Sequence, residues 1–500
     1  MTSRPSDLPV THPQPGCDPP VTLSFDDPRA FQVKSLGELL RALGVFRACS
    51  IPPLVNNCSK LLSLSRSVLG ARLFSRLMRA TVYAQFVAGE TEAEIQAAMA
   101  KLSILGMRPM LAVPIEEDVG ETRPGEGRYD DNLAAMLECI CISHSNPWSA
   151  DPMMQLKVTA LLSAELCERQ TGKVKENDRQ RERDSVSLSL QTVSFPGLTD
   201  RETQHFLCGL RRLNAVGEVT HSRSKAVCVL VDAEYTYMNP ALSLVTMAMM
   251  KKFNQLEAWI WNTYQCYLKC LWVLTPLALS AGLSVSPECL WVLTPLALSA
   301  GLSVSPECLW VLTPLALSAG LSVSPECLWA LDCLSVLSHD VALSVRESFC
   351  FGVKLVRGAY MDKERLLASQ GGRPDPVHQS WESTNRSYDR CLDTMLALVS
   401  QHPERYRIIV ATHNEEMTEL GISKVSGSVC FGQLLGMCDH VSLTLGQLGY
   451  PVYKSVPYGS VDDTVPYLVR RAQENRTVLQ GIRKERGLLR RELWRRVLRR

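Results

Sequence analysis

Eight short apolar runs, most of them followed by a helical pattern, constrain this chain more than any other feature. They are 109–115 (PMLAVPI), 155–161 (QLKVTAL), 227–234 (VCVLVDAE), 258–267 (AWIWNTYQCY), a run opening at Phe351 (FGVKLVRGAYMD), 407–414 (RIIVATHN), 429–435 (VCFGQLL) and 452–458 (VYKSVPY). Strands alternating with helices build parallel sheets, because each crossover needs a helix to cover one face. Eight such units point to an α/β fold of the (β/α)8 barrel type. With 500 residues, 46% of them hydrophobic, the chain has material for that barrel and for appendages.

The appendages are readable too. Residues 1–34 read as a disordered lead-in rich in proline. The segment 35–108 reads as helical, with Leu36, Leu39, Leu40 and Leu43 at helical spacing, a break at Pro52-Pro53, and Thr91 as the N-cap of a helix starting at Glu92. The barrel then occupies 109–481. Two stretches interrupt it. Residues 171–194 form a polar, charged insertion. Residues 271–330 hold a 19-residue unit, LWVLTPLALSAGLSVSPEC, repeated without change at 271–289, 290–308 and 309–327. Identity between units points to recent duplication or a mis-assembled gene rather than a solenoid, whose units drift. Prolines at 276 and 287 argue against reading the unit as a membrane span. The run 415–429 is short for a barrel helix with its turns. Residues 482–500 form a basic helix, either solvated or attracted to an anionic membrane.

Composition removes several function classes. A net charge of +2 gives no global drive toward nucleic acid. The 18 cysteines include no CxxC pair, and Cys270, Cys289, Cys308 and Cys327 belong to the repeat, so the thiols read as mostly reduced. The N-terminus has no apolar secretory core, and with Arg4 as its only cation before Arg29 it makes a weak mitochondrial presequence.

The chemistry gathers at the carboxyl ends of the strands, where barrels bind ligands. Lys157, Asp232 with Glu234, Gln265, Lys354 with Arg357, His413 with Asn414, and Ser455 with Tyr458 all stand there. A final helix adds Arg470, Arg471 and Glu474. The ring is cationic and suits an anionic ligand, since arginine grips carboxylate or phosphate with two parallel bonds. There is no GxGxxG, P-loop or HExxH, and one histidine without clustered cysteines in the ring gives no expectation of metal. Cations with few nucleophiles suggest chemistry carried by a cofactor.

Seven segments, in order, resemble the proline dehydrogenase family of flavoenzymes: DAEYTY-NP (232–240), NTYQCYLK (262–269), FGVKLVRGAY (351–360), ATHNEE (411–416), FGQLLGMCDHVS (431–442), YKSVPYG (453–459) and PYLVRRAQEN (466–475). The resemblance runs from about Leu36 to the C-terminus outside the two insertions. It implies a distorted barrel holding FAD, oxidation of the ring C–N bond of a proline-type imino acid, and electrons passed to a quinone at the matrix side of the mitochondrial inner membrane, with peripheral association. By motif, it assigns Gln265, Lys354, Arg357, Gly358, Ala359, Tyr360, Thr384, His413, Asn414 and Glu474 to the cofactor. Lys157, Arg470 and Arg471 would clamp the substrate carboxylate, Asp232 would support that network, and Leu434 would pack on the substrate ring. Where proline-specific members place an aromatic on that ring, this chain has Ser455, a hydroxyl where a 4-hydroxyl would sit. That is similar to the hydroxyproline-oxidising branch. Three readings stand at this point: hydroxyproline oxidation, proline oxidation, and an inactive paralogue whose repeat is an interaction or membrane-associating segment.

Overall fold

The computed structural model describes residues 24–115, 126–147, 149, 151–168, 199–221, 226–269, 332–416, 418, 429–474 and 479–498. The polar insertion and the repeat lie outside the described residues, as does most of the short run 415–429.

Eight parallel strands close into a barrel in sequence order. They are β1 (Met107–Ala112), β2 (Met153–Leu156), β3 (Cys228–Val231), β4 (Ile260–Gln265), β5 (Phe351–Val356), β6 (Tyr406–Ala411), β7 (Val429–Leu434) and β8 (Val452–Pro457). β8 returns to β1 over the full strand, from Met107 opposite Val452 to Ala112 opposite Pro457. β4 and β5 pair continuously from Trp261 opposite Gly352 to Gln265 opposite Val356. The long stretch between them therefore leaves the ladder intact. Nor is the helix of that unit lost: Cys333–Arg346 supplies it, with Asp332 as its N-cap.

Each of the eight runs extends past the end of its strand, and three cases show why. β2 stops at Leu156, because Lys157 opens a 3-10 turn over Val158–Ala160. β3 stops at Val231 and β6 at Ala411. In each case the polar residues at the mouth leave the ladder.

Side chains alternate along a strand. On β4, Asn262 and Tyr264 point outward, to Ser243 and Asp340 of the surrounding helices. Trp261 points inward, into an apolar cluster with Met110, Met153, Cys228, Leu230, Ile409 and Tyr453. That cluster plugs the barrel below the site. It needs Gly352: a Cβ there would lie 2.5 Å from the Trp261 ring.

The helix after β8, Val461–Glu474, packs on the helices Pro52–Asn56, Cys58–Ala80 and Val82–Phe86, and on Met361–Gln370. A further helix, Leu479–Leu498, packs beside Asp439–Gln447 and Leu36–Cys49. The barrel is distorted in this sense, with its last helix drawn toward the mouth.

Two terminal expectations are corrected. Residues 24–34 are not part of a disordered lead-in. Pro28–Val33 forms a 3-10 helix capped by Asp27, and Phe25 and Phe31 are buried; residues 1–23 lie outside the described residues. The basic C-terminal helix is neither wholly solvated nor free to lie on a membrane along its whole surface. Ile482, Glu485, Leu488, Leu489 and Glu492 are buried on one face. Arg496 donates to the carbonyls of Phe31, Gln32 and Lys34, which end the 3-10 helix. Arg483, Arg490 and Arg491 remain exposed.

A buried charge cluster joins these ends to the barrel. Asp439 accepts from Lys34 Nζ at 2.7 Å and from Lys454 Nζ at 2.8 Å. The two ammoniums hold its carboxyl well below the usual range, against the opposing effect of burial. Glu485 accepts the backbone N–H groups of Cys438 and Asp439, where Cys438 takes a left-handed φ of 54°. Removing one partner of a buried pair leaves an uncompensated charge, a loss of roughly 3–5 kcal/mol. Asp439→Ala strands two lysines and is expected to lose at least that much, read as a lower urea midpoint at unchanged slope. Because the folded pKa is depressed, the carboxylate contributes fully above about pH 4 and its contribution fades as pH falls toward the folded value. The native-minus-variant difference should therefore shrink on acidification below about pH 4.

Candidate active site

Above the Trp261 plug, most of the inward positions change from apolar to polar. Gln155 on β2, Gln265 on β4, Lys354 on β5, Leu434 on β7 and Ser455 on β8 take the upper layer by strand alternation, and Asp232 follows β3 directly. Lys354 is buried and donates from Nζ to Asp232 Oδ1 at 2.5 Å. A lone ammonium at this depth would be unfavourable, and the carboxylate neutralises it.

Gln265 is 1% exposed. Its amide donates to the Glu234 carbonyl and to the Tyr267 hydroxyl, both at 2.9 Å, while its Oε1 has no partner. Glu234, grouped with Asp232 by sequence, turns away from the site and accepts from the hydroxyl and N–H of Thr159. Arg357 lies after β5 with Gly358, Ala359 and Tyr360. Its Nε donates to Asn385 Oδ1 at 2.7 Å, its guanidinium lies 4.8 Å from the Trp381 ring centroid, and its Nη2 is buried without a partner. Burial pulls its pKa below the ordinary arginine value. Thr384 and Asn385, both buried, sit where the first turn of Trp381–Gln401 passes into the second.

The displaced last helix carries Arg470 and Arg471. Arg471 lies 5.4 Å from the ring centroids of both Tyr360 and Tyr467. Tyr360 in turn packs on Tyr235 at 4.6 Å, and Lys363 Nζ sits 4.2 Å from the Tyr235 centroid. An aromatic and cationic rim thus runs from the β5 turn to the last helix. Glu474 ends that helix; its side chain lies outside the described atoms. Lys157 is half-buried at the end of β2.

On the opposite wall, His413 Nε2 accepts the Leu434 N–H at 3.2 Å. Burial, with the Lys454 cation and His440 nearby, lowers the His413 pKa to about 3. Asn414 uses Oδ1 to cap the backbone N–H of Glu416, a local role that its assignment to a ligand did not anticipate. Ser455 is 4% exposed, and its hydroxyl donates to Gln155 Oε1 at 2.6 Å.

Against this geometry, sequence comparison is decisive. The hydroxyproline dehydrogenase of Xenopus laevis is 48% identical over 504 residues, covering 97% of this chain and 94% of the relative. That of Homo sapiens is 42% identical over 499 residues, covering 95% and 94%. The proline dehydrogenase family model matches residues 329–484. The chain belongs to the proline dehydrogenase family. Proline dehydrogenase 1, mitochondrial, of Homo sapiens is more distant, 29% identical over 595 residues, covering 94% of this chain and 88% of the relative. Among solved structures, proline utilization A from Bdellovibrio bacteriovorus, inactivated by N-propargylglycine, aligns with a TM-score of 0.53 at 16% identity. The match covers 90% of this chain and 36% of that longer one, a likeness of fold. The Bradyrhizobium japonicum D779W mutant of the same enzyme aligns at 0.52 and 17% identity, over 95% and 44%. Among the described residues, no helix is long and apolar enough to cross a membrane.

Proline dehydrogenases are flavoenzymes, and the residues here suit such a group. Gln265 Oε1 and Arg357 Nη2 are buried polar atoms without partners, one acceptor and one donor, and buried polar atoms of this kind call for a partner. Sequence reasoning missed three contributors. Gln155 reads as one more residue of a strand until β8 brings Ser455 beside it. Asn385 holds Arg357 from a helix 28 positions away. Glu364 accepts from the N–H and hydroxyl of Thr236 and so fastens the β3 turn to Met361–Gln370. It also missed a cysteine cluster, described below.

The depressed His413 pKa yields a prediction. The ring should stay neutral from pH 8 to pH 5, so its carbon-bound proton resonances, read by NMR, should not titrate in that window. A group whose folded pKa lies below its unfolded value of about 6.5 weakens the fold progressively as pH falls beneath that value. His413→Gln should flatten this part of the stability-versus-pH curve.

Proposed function

We propose that this chain is a FAD-dependent dehydrogenase that oxidises trans-4-hydroxy-L-proline to 3-hydroxy-1-pyrroline-5-carboxylate and passes the electrons to a quinone. The substrate choice rests on one observation above all: the buried hydroxyl of Ser455, oriented by Gln155. Donation to Gln155 leaves the Ser455 oxygen able to accept a hydrogen bond, and the Gln155 amide able to donate one. A substrate hydroxyl can both give and receive, and so answers both. A site built around such a hydroxyl discriminates strongly against the analogue that lacks it, because its own polar atoms are then left unpaired. The relatives named as hydroxyproline dehydrogenases support the same reading.

The residues divide the work by place. Lys157, Arg470 and Arg471 offer three cations for the substrate carboxylate, and the rings of Tyr360 and Tyr467 steady Arg471. Leu434 gives the ring an apolar neighbour. Gln265, Lys354, the Arg357–Tyr360 turn, Thr384 and His413 would hold FAD, which when bound supplies the two-electron acceptor for oxidation of the ring C–N bond. Lys354, tied to Asp232, keeps a cation fixed at that position, where negative charge on a reduced cofactor gains stabilisation. Neutral His413 can donate from Nδ1 while Nε2 is engaged. Orientation is the main requirement of such a transfer, and rigid strand ends supply it. A mitochondrial setting agrees with the names of the related proline dehydrogenases.

Purified protein is expected to be yellow and to reduce a soluble quinone with higher kcat/KM for trans-4-hydroxy-L-proline than for L-proline. Equal or greater efficiency with proline would overturn the substrate assignment, and a chain unable to retain FAD would overturn the activity. Ser455→Tyr should move the kcat/KM ratio toward proline by about tenfold or more. Gln155→Leu should lower efficiency with the hydroxylated substrate by roughly tenfold and leave proline less affected. An unchanged ratio in both variants would remove the pair from selectivity.

A further inference from the structure

Behind the wall formed by β4 and Trp381–Gln401, three cysteines distant in sequence converge. Cys266 follows Gln265 at the end of β4. Cys333 is the first residue of Cys333–Arg346, after the Asp332 cap, and Cys391 lies midway along Trp381–Gln401. All three are fully buried. The Cys333 and Cys266 sulfurs are 3.7 Å apart, and all three sulfurs lie within 4.8 Å of one another. Three thiolates binding one ion at about 2.3 Å sit about 3.8 Å apart. One pair already has that spacing, and the others need to close by at most about an ångström.

We infer that Cys266, Cys333 and Cys391 form a buried three-thiolate site for a thiophilic metal ion, monovalent copper or zinc. Soft sulfur ligands select these ions. Binding exchanges three S–H bonds for three sulfur–metal bonds and releases three protons to solvent; the ion keeps its oxidation state. The positive end of the helix starting at Cys333 favours a thiolate there. Among the described residues, no fourth His, Cys, Asp or Glu joins the group. Copper(I) is satisfied by three ligands. Zinc would leave less net negative charge in the site.

The site would act as a brace. Cys266 adjoins Gln265, and Cys391 shares a helix face with Asn385 and Tyr388, whose side chains reach Arg357 and the Leu355 carbonyl. An ion there would fix β4 against two helices beside the residues assigned to the cofactor. It touches none of those residues itself.

The test uses the full chain purified under reducing conditions, stripped of metal, then titrated separately with zinc and with copper(I) and dialysed against a chelator. About one ion per chain should survive with one of the two, with a raised unfolding temperature. X-ray absorption at that metal should report three sulfur neighbours at about 2.3 Å. Cys333→Ser and Cys391→Ser should each cut the retained metal at least tenfold, whereas Cys139→Ser, at another buried cysteine, should not. Retention below a tenth of an ion per chain with both metals overturns the inference. So does metal kept in full by Cys391→Ser, or a Cys266–Cys333 disulfide in the native chain. If the serine variants do not fold, stoichiometry and sulfur shell of the native chain decide.

Discussion

Trp261 fills the barrel axis only because Gly352, opposite it on β5, has no side chain. A Cβ at that position would overlap the indole at its root, Cγ included, which cannot swing clear as the far end of a flexible side chain can. With Tyr453, Met110, Met153, Leu230 and Ile409 around it, the indole seals one end of the barrel. Ligands can then enter from the other end alone, and period-two alternation carries the next inward residues of each strand to that end. Lys354 lies two residues beyond Gly352 and Gln265 four beyond Trp261. The apolar fit below therefore sets the depth at which the polar layer above is displayed.

A second constraint comes from the chain ends. Lys34 and Lys454 share the Asp439 carboxylate, and Glu485 receives the backbone at the start of the same helix. One buried acid thus links the segment before the barrel, the last strand, and the helix after the mouth. Lys454 points outward on β8 while its neighbour Ser455 points into the site. Holding the first fixes the second, so a network with no chemical part to play sets the position of a hydroxyl that has one.

All eight strands were legible from their apolar runs, because branched and aromatic residues bounded by polar ones leave few other options. The ends were less so. The runs at 155–161, 227–234 and 407–414 extend past their strands, since composition does not reveal where a ladder stops and a turn begins. Within the site, Lys157, Asp232 and Lys354 stood out as charges beside apolar runs. Gln155, Asn385 and Glu364 did not, because each matters only through a partner far along the chain. The same holds for Cys266, Cys333 and Cys391, whose spacing matches no short motif. The terminal segments were misread for a related reason: an amphipathic helix rich in arginine looks solvated until the surface it covers is known.

The joint between β4 and β5 has a consequence for how such a sequence can change over generations. On one side, Lys269 N–H reaches the Pro376 carbonyl and Leu268 bridges to Val377. On the other, Asp332 caps its helix and pairs with Arg390 at 3.3 Å. Both anchors are made by residues outside the repeat. For a connection with no contacts of its own, the entropy of joining two fixed points grows only with the logarithm of the length between them, and one more 19-residue unit would add a few tenths of a kcal/mol. Chain closure by itself then exerts almost no pressure against another copy. Selection at this joint would have to act on something other than folding, which makes it a place where duplications can persist while the barrel beside them stays under strict geometric control.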